Sequence, residues 1–193
     1  MNKLLLFVLS AGIPAALFAA DGQVLINQST VTAAGGFPYV ISQPGSYKLS
    51  GNLNVPSGTN GIVIQSSAVT IDLNGFSITS LGFITGFETA IRAAGNFRNI
   101  TIRNGSFANW SQAIIFAGPS NVLVEDIIAQ ETFVVGGASV TNGVAISAPA
   151  HSVLNRIVTE GQIQVTCPSI IAESIGNFQL SGGGCATLAN AAP

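Results

Sequence analysis

A four-residue strand pattern occurs five times in this 193-residue chain, and it constrains the fold more than any other feature. Val69-Thr70-Ile71-Asp72 returns as Ile100-Thr101-Ile102-Arg103, Val122-Leu123-Val124-Glu125, Val153-Leu154-Asn155-Arg156 and Ile170-Ile171-Ala172-Glu173. Each copy follows a small or amide residue: Ala68, Asn99, Asn121, Ser152 and Ser169. Self-similarity at a spacing of roughly 20 to 30 residues, with a strand in each unit, points to a stacked β-solenoid. In each copy the first and third residues face inward, and the second and fourth face outward.

A second strand precedes each copy. These strands begin at Ile62, Ile91, Ala113, Val144 and Ile163, giving units of 29, 22, 31 and 19 residues. Their outward positions are expected at Val63, Arg92, Ile114, Ala145 and Gln164. A third short strand follows each copy, as in Phe76-Ser77-Ile78 and Ile127-Ile128. The corners carry turn chemistry: Asn74-Gly75 and Asn104-Gly105 fall at the same place in successive units, where positive φ is needed. Three strands per unit and tight corners predict an all-β fold, a right-handed single-stranded parallel β-helix of about five coils, capped at both ends. A β-sandwich of similar strand count is the alternative.

The N-terminus reads as a targeting segment. Lys3 precedes an apolar run from Leu4 to Phe18, which is short for a bilayer span, and Asp21 begins polar sequence. Residues 1–20 are expected to be a cleaved signal peptide, with an uncleaved anchor as the alternative. Residues 21–56 then form an N-terminal cap, 57–178 the helix and 179–193 a C-terminal cap or tail. The protein is expected to be secreted, periplasmic or at the cell surface, without membrane insertion after cleavage. In an oxidising compartment Cys167 and Cys185 are expected to bridge and pin the C-terminal end; two buried thiols are the alternative.

Charged residues make up only 7% of the chain, against about a quarter in an average domain. Nucleic-acid binding needs a basic stripe, and six Lys and Arg residues do not make one. Electrostatic capture of anionic lipid is disfavoured on the same ground.

The stretch Pro44-Gly45-Ser46-Tyr47-Lys48-Leu49-Ser50-Gly51-Asn52-Leu53 is followed by Gly61-Ile62-Val63-Ile64 and Val69-Thr70-Ile71-Asp72-Leu73-Asn74-Gly75-Phe76-Ser77-Ile78. With Asn99-Ile100-Thr101-Ile102-Arg103-Asn104-Gly105, this text resembles the small secreted bacterial proteins of the pectin-lyase-like, right-handed parallel β-helix superfamily. The resemblance covers residues 38–130 well and the remainder loosely. It implies a fold rather than a function, because that superfamily holds lyases, hydrolases, epimerases and adhesins.

Its hydrolases use clustered aspartates, and its lyases pair a basic residue with calcium-binding acids. None of the expected outward positions in the strand before the repeat is acidic, and no enzyme motif carries over. Glu125-Asp126 is the only adjacent acid pair, and neighbours on a strand point to opposite faces. His151 is the sole histidine and has no cysteine or acid at ligand spacing. No catalytic residue, metal site or cofactor is therefore expected.

Two patterns remain. The inserts at residues 79–88 and 129–142 flank the short connection 108–112, so Phe83, Phe87, Trp110 and Phe133 gather on one side. Exposed aromatics there would stack on sugar rings or dock a partner; packing against the rod is the bland reading. The fourth repeat position reads Asp72, Arg103, Glu125, Arg156, Glu173, an alternating charge ladder expected to form one column and fix register. The functional expectation is a secreted non-catalytic β-helix, structural or binding a polysaccharide or cell-surface component. The alternative is a minimal polysaccharide lyase or hydrolase of the pectin-lyase-like class.

Overall fold

The computed structural model describes residues 22–82, 88–110, 112–130, 134–135, 138–139, 144–182 and 186–187. Strand β1 (Gln23–Ile26) and a short helix α1 (Gln28–Ala33) open this region. Next come β2 (Tyr39–Ile41), β3 (Gly45–Leu49), β4 (Leu53–Val55), β5 (Ile62–Ile64), β6 (Val69–Asp72), β7 (Ser77–Ser80) and β8 (Ile91–Ala94). β9 (Arg98–Ala108), β10 (Ile114–Ala117), β11 (Ser120–Gln130), β12 (Val134–Val135), β13 (Ala138–Ser139) and β14 (Val144–Ala148) follow. β15 (Ser152–Thr166), β16 (Ile170–Ala172), β17 (Ile175–Ser181) and β18 (Ala186–Thr187) complete it. The fold is all-β, and except for the small β12–β13 hairpin its strands pair in parallel.

Pairing sorts the strands into three columns. Column one stacks β1, β3, β6, the first part of β9, β11 and β15, then β16 and β18. Column two stacks β4, β7, the ends of β9 and β11, the middle of β15 and the start of β17. Column three stacks β2, β5, β8, β10, β14, the end of β15 and the rest of β17. From β3 onward the chain visits column one, then two, then three, and repeats. This is the arrangement expected of a parallel solenoid.

Burial follows the period-two alternation. In column one Tyr47, Ile71, Ile102, Val124, Leu154 and Ile171 are register neighbours, and all are buried. In column three Ile62, Ile91, Ile114, Ile146 and Ile163 form an uninterrupted isoleucine stack, every member fully buried. Ile114 therefore faces inward, and Ile115, beside Arg92, takes the outward position expected for it. Each buried aliphatic side chain contributes about 1.5–3 kcal/mol, and this stacked core is the main favourable term.

The corner between columns one and two turns at a residue of positive φ: Asn74 (followed by Gly75, also at positive φ), Asn104, Asp126, Arg156 and Glu173, these five with φ between 45° and 66°. The corner before column one uses Ala68, Asn99, Asn121 and His151 in the same conformation. Asn and Asp tolerate this region better than other side chains, and each of the rest carries local strain.

The structure corrects the expected register of the fourth and fifth repeats; in the fifth, Ile170 is 40% exposed and Ile171 is buried instead. Ser152, not Val153, stands beside Val122, and Leu154 stands beside Val124. His151 occupies the corner place of Asn99 and Asn121, so the strand starts one residue earlier than its hydrophobic text suggests. Ser152 is buried where an aliphatic was expected. Its backbone N–H donates to Ser169 Oγ at 3.1 Å, and its hydroxyl donates to the Pro149 carbonyl at 2.5 Å. The polar core residue is satisfied, which is the condition for its burial.

At the N-terminal end Asn27 accepts from the backbone N–H groups of Ser29 and Thr30, and Thr30 Oγ1 accepts from Asn27 N–H, a reciprocal cap for α1. The Gln28 side chain then meets the open edge of β4. Its oxygen accepts from Asn54 N–H at 3.0 Å, and its amide nitrogen donates to the Asn54 carbonyl at 3.3 Å. One side-chain amide thus replaces the missing strand partner. Near the other end Cys167 is buried and carries no free thiol; its expected partner Cys185 lies outside the described residues.

Gly105 shows how tightly successive layers pack. A Cβ there would collide with the Leu73 Cβ and approach the Phe76 carbonyl oxygen to 2.7 Å. Gly105→Ala is expected to destabilise the protein by about 1–3 kcal/mol, the usual cost of overpacking, in urea unfolding followed by circular dichroism. An unchanged midpoint would contradict this packing.

Candidate functional site

The charge ladder divides between two neighbouring columns. Lys48, Asp72, Arg103 and Glu125 are register neighbours in column one, where signs alternate beginning one layer earlier than expected. Asn155 and Ala172 continue that column, so it ends in neutral residues. Arg156 and Glu173 belong instead to the corner series with Asp126. The single five-membered column expected from the sequence is therefore corrected, for the same reason as the register of Ser152.

Both halves carry ion pairs. Arg103 Nη2 lies 3.3 Å from Asp72 Oδ2, and Asp72 Oδ1 accepts from Asn74 N–H and Asn104 Nδ2. Arg156 forms a two-pronged contact with Asp126: Nε donates to Oδ1 at 2.5 Å and Nη2 to Oδ2 at 2.7 Å. Glu125 approaches the same guanidinium at 3.8 Å. The adjacent acids Glu125 and Asp126 thus share one arginine, which suits a structural clamp and not an acid–base pair. Hydrogen bonds from Arg156 hold the Asp126 carboxyl below its ordinary value, and the same contact raises the Arg156 pKa.

Of the four aromatic candidates only Trp110 is described; Phe83, Phe87 and Phe133 lie outside the described residues. Trp110 is 2% exposed. Its Nε1–H donates to the Ile78 carbonyl at 3.0 Å, spanning 32 residues of sequence. The indole is a core element, as its large apolar surface favours, and offers no face to a ligand. The expectation of Trp110 as a binding residue is corrected.

The outer faces of the columns change character along the stack. Column two presents Ser77 and Ser106, then Ile128, Val158 and Ile175, each at least 45% exposed. Column three changes in the opposite sense: Val40, Val63, Arg92 and Ile115 give way to Ser147, Gln164 and Gln179.

An open depression lies on this polar end of column three, lined by Ser147, Gln164, Val165, Thr166, Gln179 and Ser181. Gln164 Nε2 donates to Gln162 Oε1 at 3.2 Å and to Gln179 Oε1 at 3.1 Å. Among the described residues, the side-chain Oε1 of Gln164 and Nε2 of Gln179 keep no protein partner. The depression thus offers an acceptor, a donor and hydroxyls, with no ionisable group in its lining, and the Val165 side chain beneath it is turned into the core.

The sequence reading placed Gln164 outward but missed this cluster. The signal was present in the matched alternation of Gln162-Ile163-Gln164-Val165-Thr166 and Asn177-Phe178-Gln179-Leu180-Ser181. No family model, no curated protein and no solved structure matches the chain.

The Arg156 clamp has a pH signature. A carboxyl whose folded pKa is depressed stabilises the fold above its unfolded value and loses that contribution as pH falls through the folded value. The Asp126 contribution is therefore present above about pH 4 and lost below it. Asp126→Asn is expected to reduce the loss of stability in denaturant midpoints measured from pH 6 down to acid. An identical acid slope in both proteins would contradict the assignment.

Proposed function

We propose that the chain is an exported, non-catalytic binding protein of the pectin-lyase-like kind, a right-handed β-helix of about five coils whose outer face takes an uncharged polysaccharide or cell-surface polymer. The single observation that supports this reading best is the depression bearing Gln164, Gln179, Ser147, Thr166 and Ser181. Ligand sites bring a few polar groups together in a concave surface, and this lining does so without charge. Sugar hydroxyls donate and accept, so they match an amide pair whose two members each keep one free function. The flat column also suits an extended chain better than a compact solute. A Cys167–Cys185 bridge would pin the C-terminal end and leave no thiol to titrate in the unreduced protein.

The test is a glycan-array screen of the purified protein against neutral and acidic glycans, paired with a reducing-end assay. Binding to neutral glycans without new reducing ends is expected. Gln164→Ala should weaken the selected ligand by about tenfold, the worth of a ligand hydrogen bond or two, with an unchanged melting temperature. Ligands confined to acidic glycans, or release of reducing ends, would contradict the reading.

A further inference from the structure

The outer amides at the polar end of column three form one connected set. Gln162 and Gln164 lie two residues apart on β15, so both project from the same face. Gln179 stands beside Gln164 in the next layer. Gln164 Nε2 donates to Gln162 Oε1 at 3.2 Å and to Gln179 Oε1 at 3.1 Å, which uses both of its hydrogens. Among the described residues three functions of this set stay open. Gln164 Oε1 can accept, and the Nε2 groups of Gln162 and Gln179 can donate.

This pattern selects among uncharged ligand groups. The oxygen and nitrogen of one side-chain amide sit side by side, so an amide with both free grips two adjacent hydroxyls. No amide of this set has both free. Gln164 has committed its nitrogen, and Gln162 and Gln179 have committed their oxygens. The open acceptor and the open donors therefore lie on different side chains, separated by the bonds that join them. Separate hydroxyls satisfy these functions one at a time. A secondary amide satisfies two at once, because its N–H and C=O sit on different atoms and point apart in a rigid plane. Charge points the same way. The lining holds no ionisable group, so an ammonium or carboxylate would enter without a counter-charge, whereas an amide is neutral.

We infer that the depression recognises the N-acetyl group of an acetamido sugar in a neutral glycan, an inference that rests on the glycan reading above and narrows it. The acetamido N–H donates to Gln164 Oε1, and its carbonyl accepts from Gln179 Nε2. The chain of amides then continues through the ligand. Ser147 and Thr166, in the same lining, serve the ring hydroxyls. The match does not depend on which atom of each amide is oxygen. Exchanging oxygen and nitrogen in all three keeps both internal bonds and leaves an open donor on Gln164 and open acceptors on its neighbours. An acetamido group complements that set equally well.

The test is titration calorimetry of the purified protein with a chito-oligosaccharide and a cello-oligosaccharide of equal length. The two chains share one linkage and differ only in carrying an acetamido group or a hydroxyl at one carbon of each ring. The acetamido chain should bind about tenfold more tightly, the worth of one further net hydrogen bond or two. Gln179→Glu keeps the acceptor that Gln164 uses and removes the donor. It should abolish the difference between the two chains, with an unchanged melting temperature. Equal affinities in the wild-type protein, or a preference that persists in the folded variant, would overturn this inference and leave the neutral-glycan reading standing. So would binding of other neutral glycans with neither of these chains bound. Failure to bind any neutral glycan would overturn both.

Discussion

In-register parallel stacking is the interaction on which the rest of this structure depends. Among the described residues no strand has a local partner of the hairpin kind, except in β12–β13. Each ladder joins residues about one layer apart in sequence, as Ile71 joins Ile102 and Ile102 joins Val124. Backbone groups on a buried strand must be bonded, so every layer depends on the layer before and after it. The same register stacks inward side chains on their own kind. The isoleucine run of column three is the clearest case, because the branched side chain packs well on a pleated surface. With 7% charged residues, the chain relies on this repetition and not on ion pairs.

The corners decide the register, because a one-residue slip would exchange core and surface. The strands themselves are too alike to specify it. A left-handed residue at most of the corners that flank column one fixes where a strand begins. Asn at 99, 104 and 121 serves this role at little strain. His151 and Arg156 occupy equivalent places at greater strain, and the two-pronged contact with Asp126 holds Arg156 there. The clamp and the corner are one device.

The repeat, the alternation and most inward positions were legible in the sequence, because hydrophobic period is a local signal. The fourth and fifth registers were not. Val153-Leu154 resembles Val122-Leu123 in letters, but the energy of placement lies in the corner and in the hydrogen bonds that bury Ser152 and Ser169. The sequence left Trp110 open between binding and packing because an aromatic in a connection carries no sign of its direction; the distant Ile78 carbonyl provides it. The amide cluster escaped because it assembles across layers. Gln164 and Gln179 meet only when β17 is placed beside β15, at a spacing shorter than that of any other unit.

Function then rests on what repetition leaves outside. The fold exposes long rows of equivalent positions, and the change from aliphatic to amide residues along column three makes one end of one face chemically distinct. That depends wholly on the register. Interstrand nuclear Overhauser contacts in solution test it directly. The account predicts backbone contacts of Val122 with Ser152, Val124 with Leu154 and Glu125 with Asn155. Contacts of Val122 with Val153 and of Glu125 with Arg156 instead would contradict it.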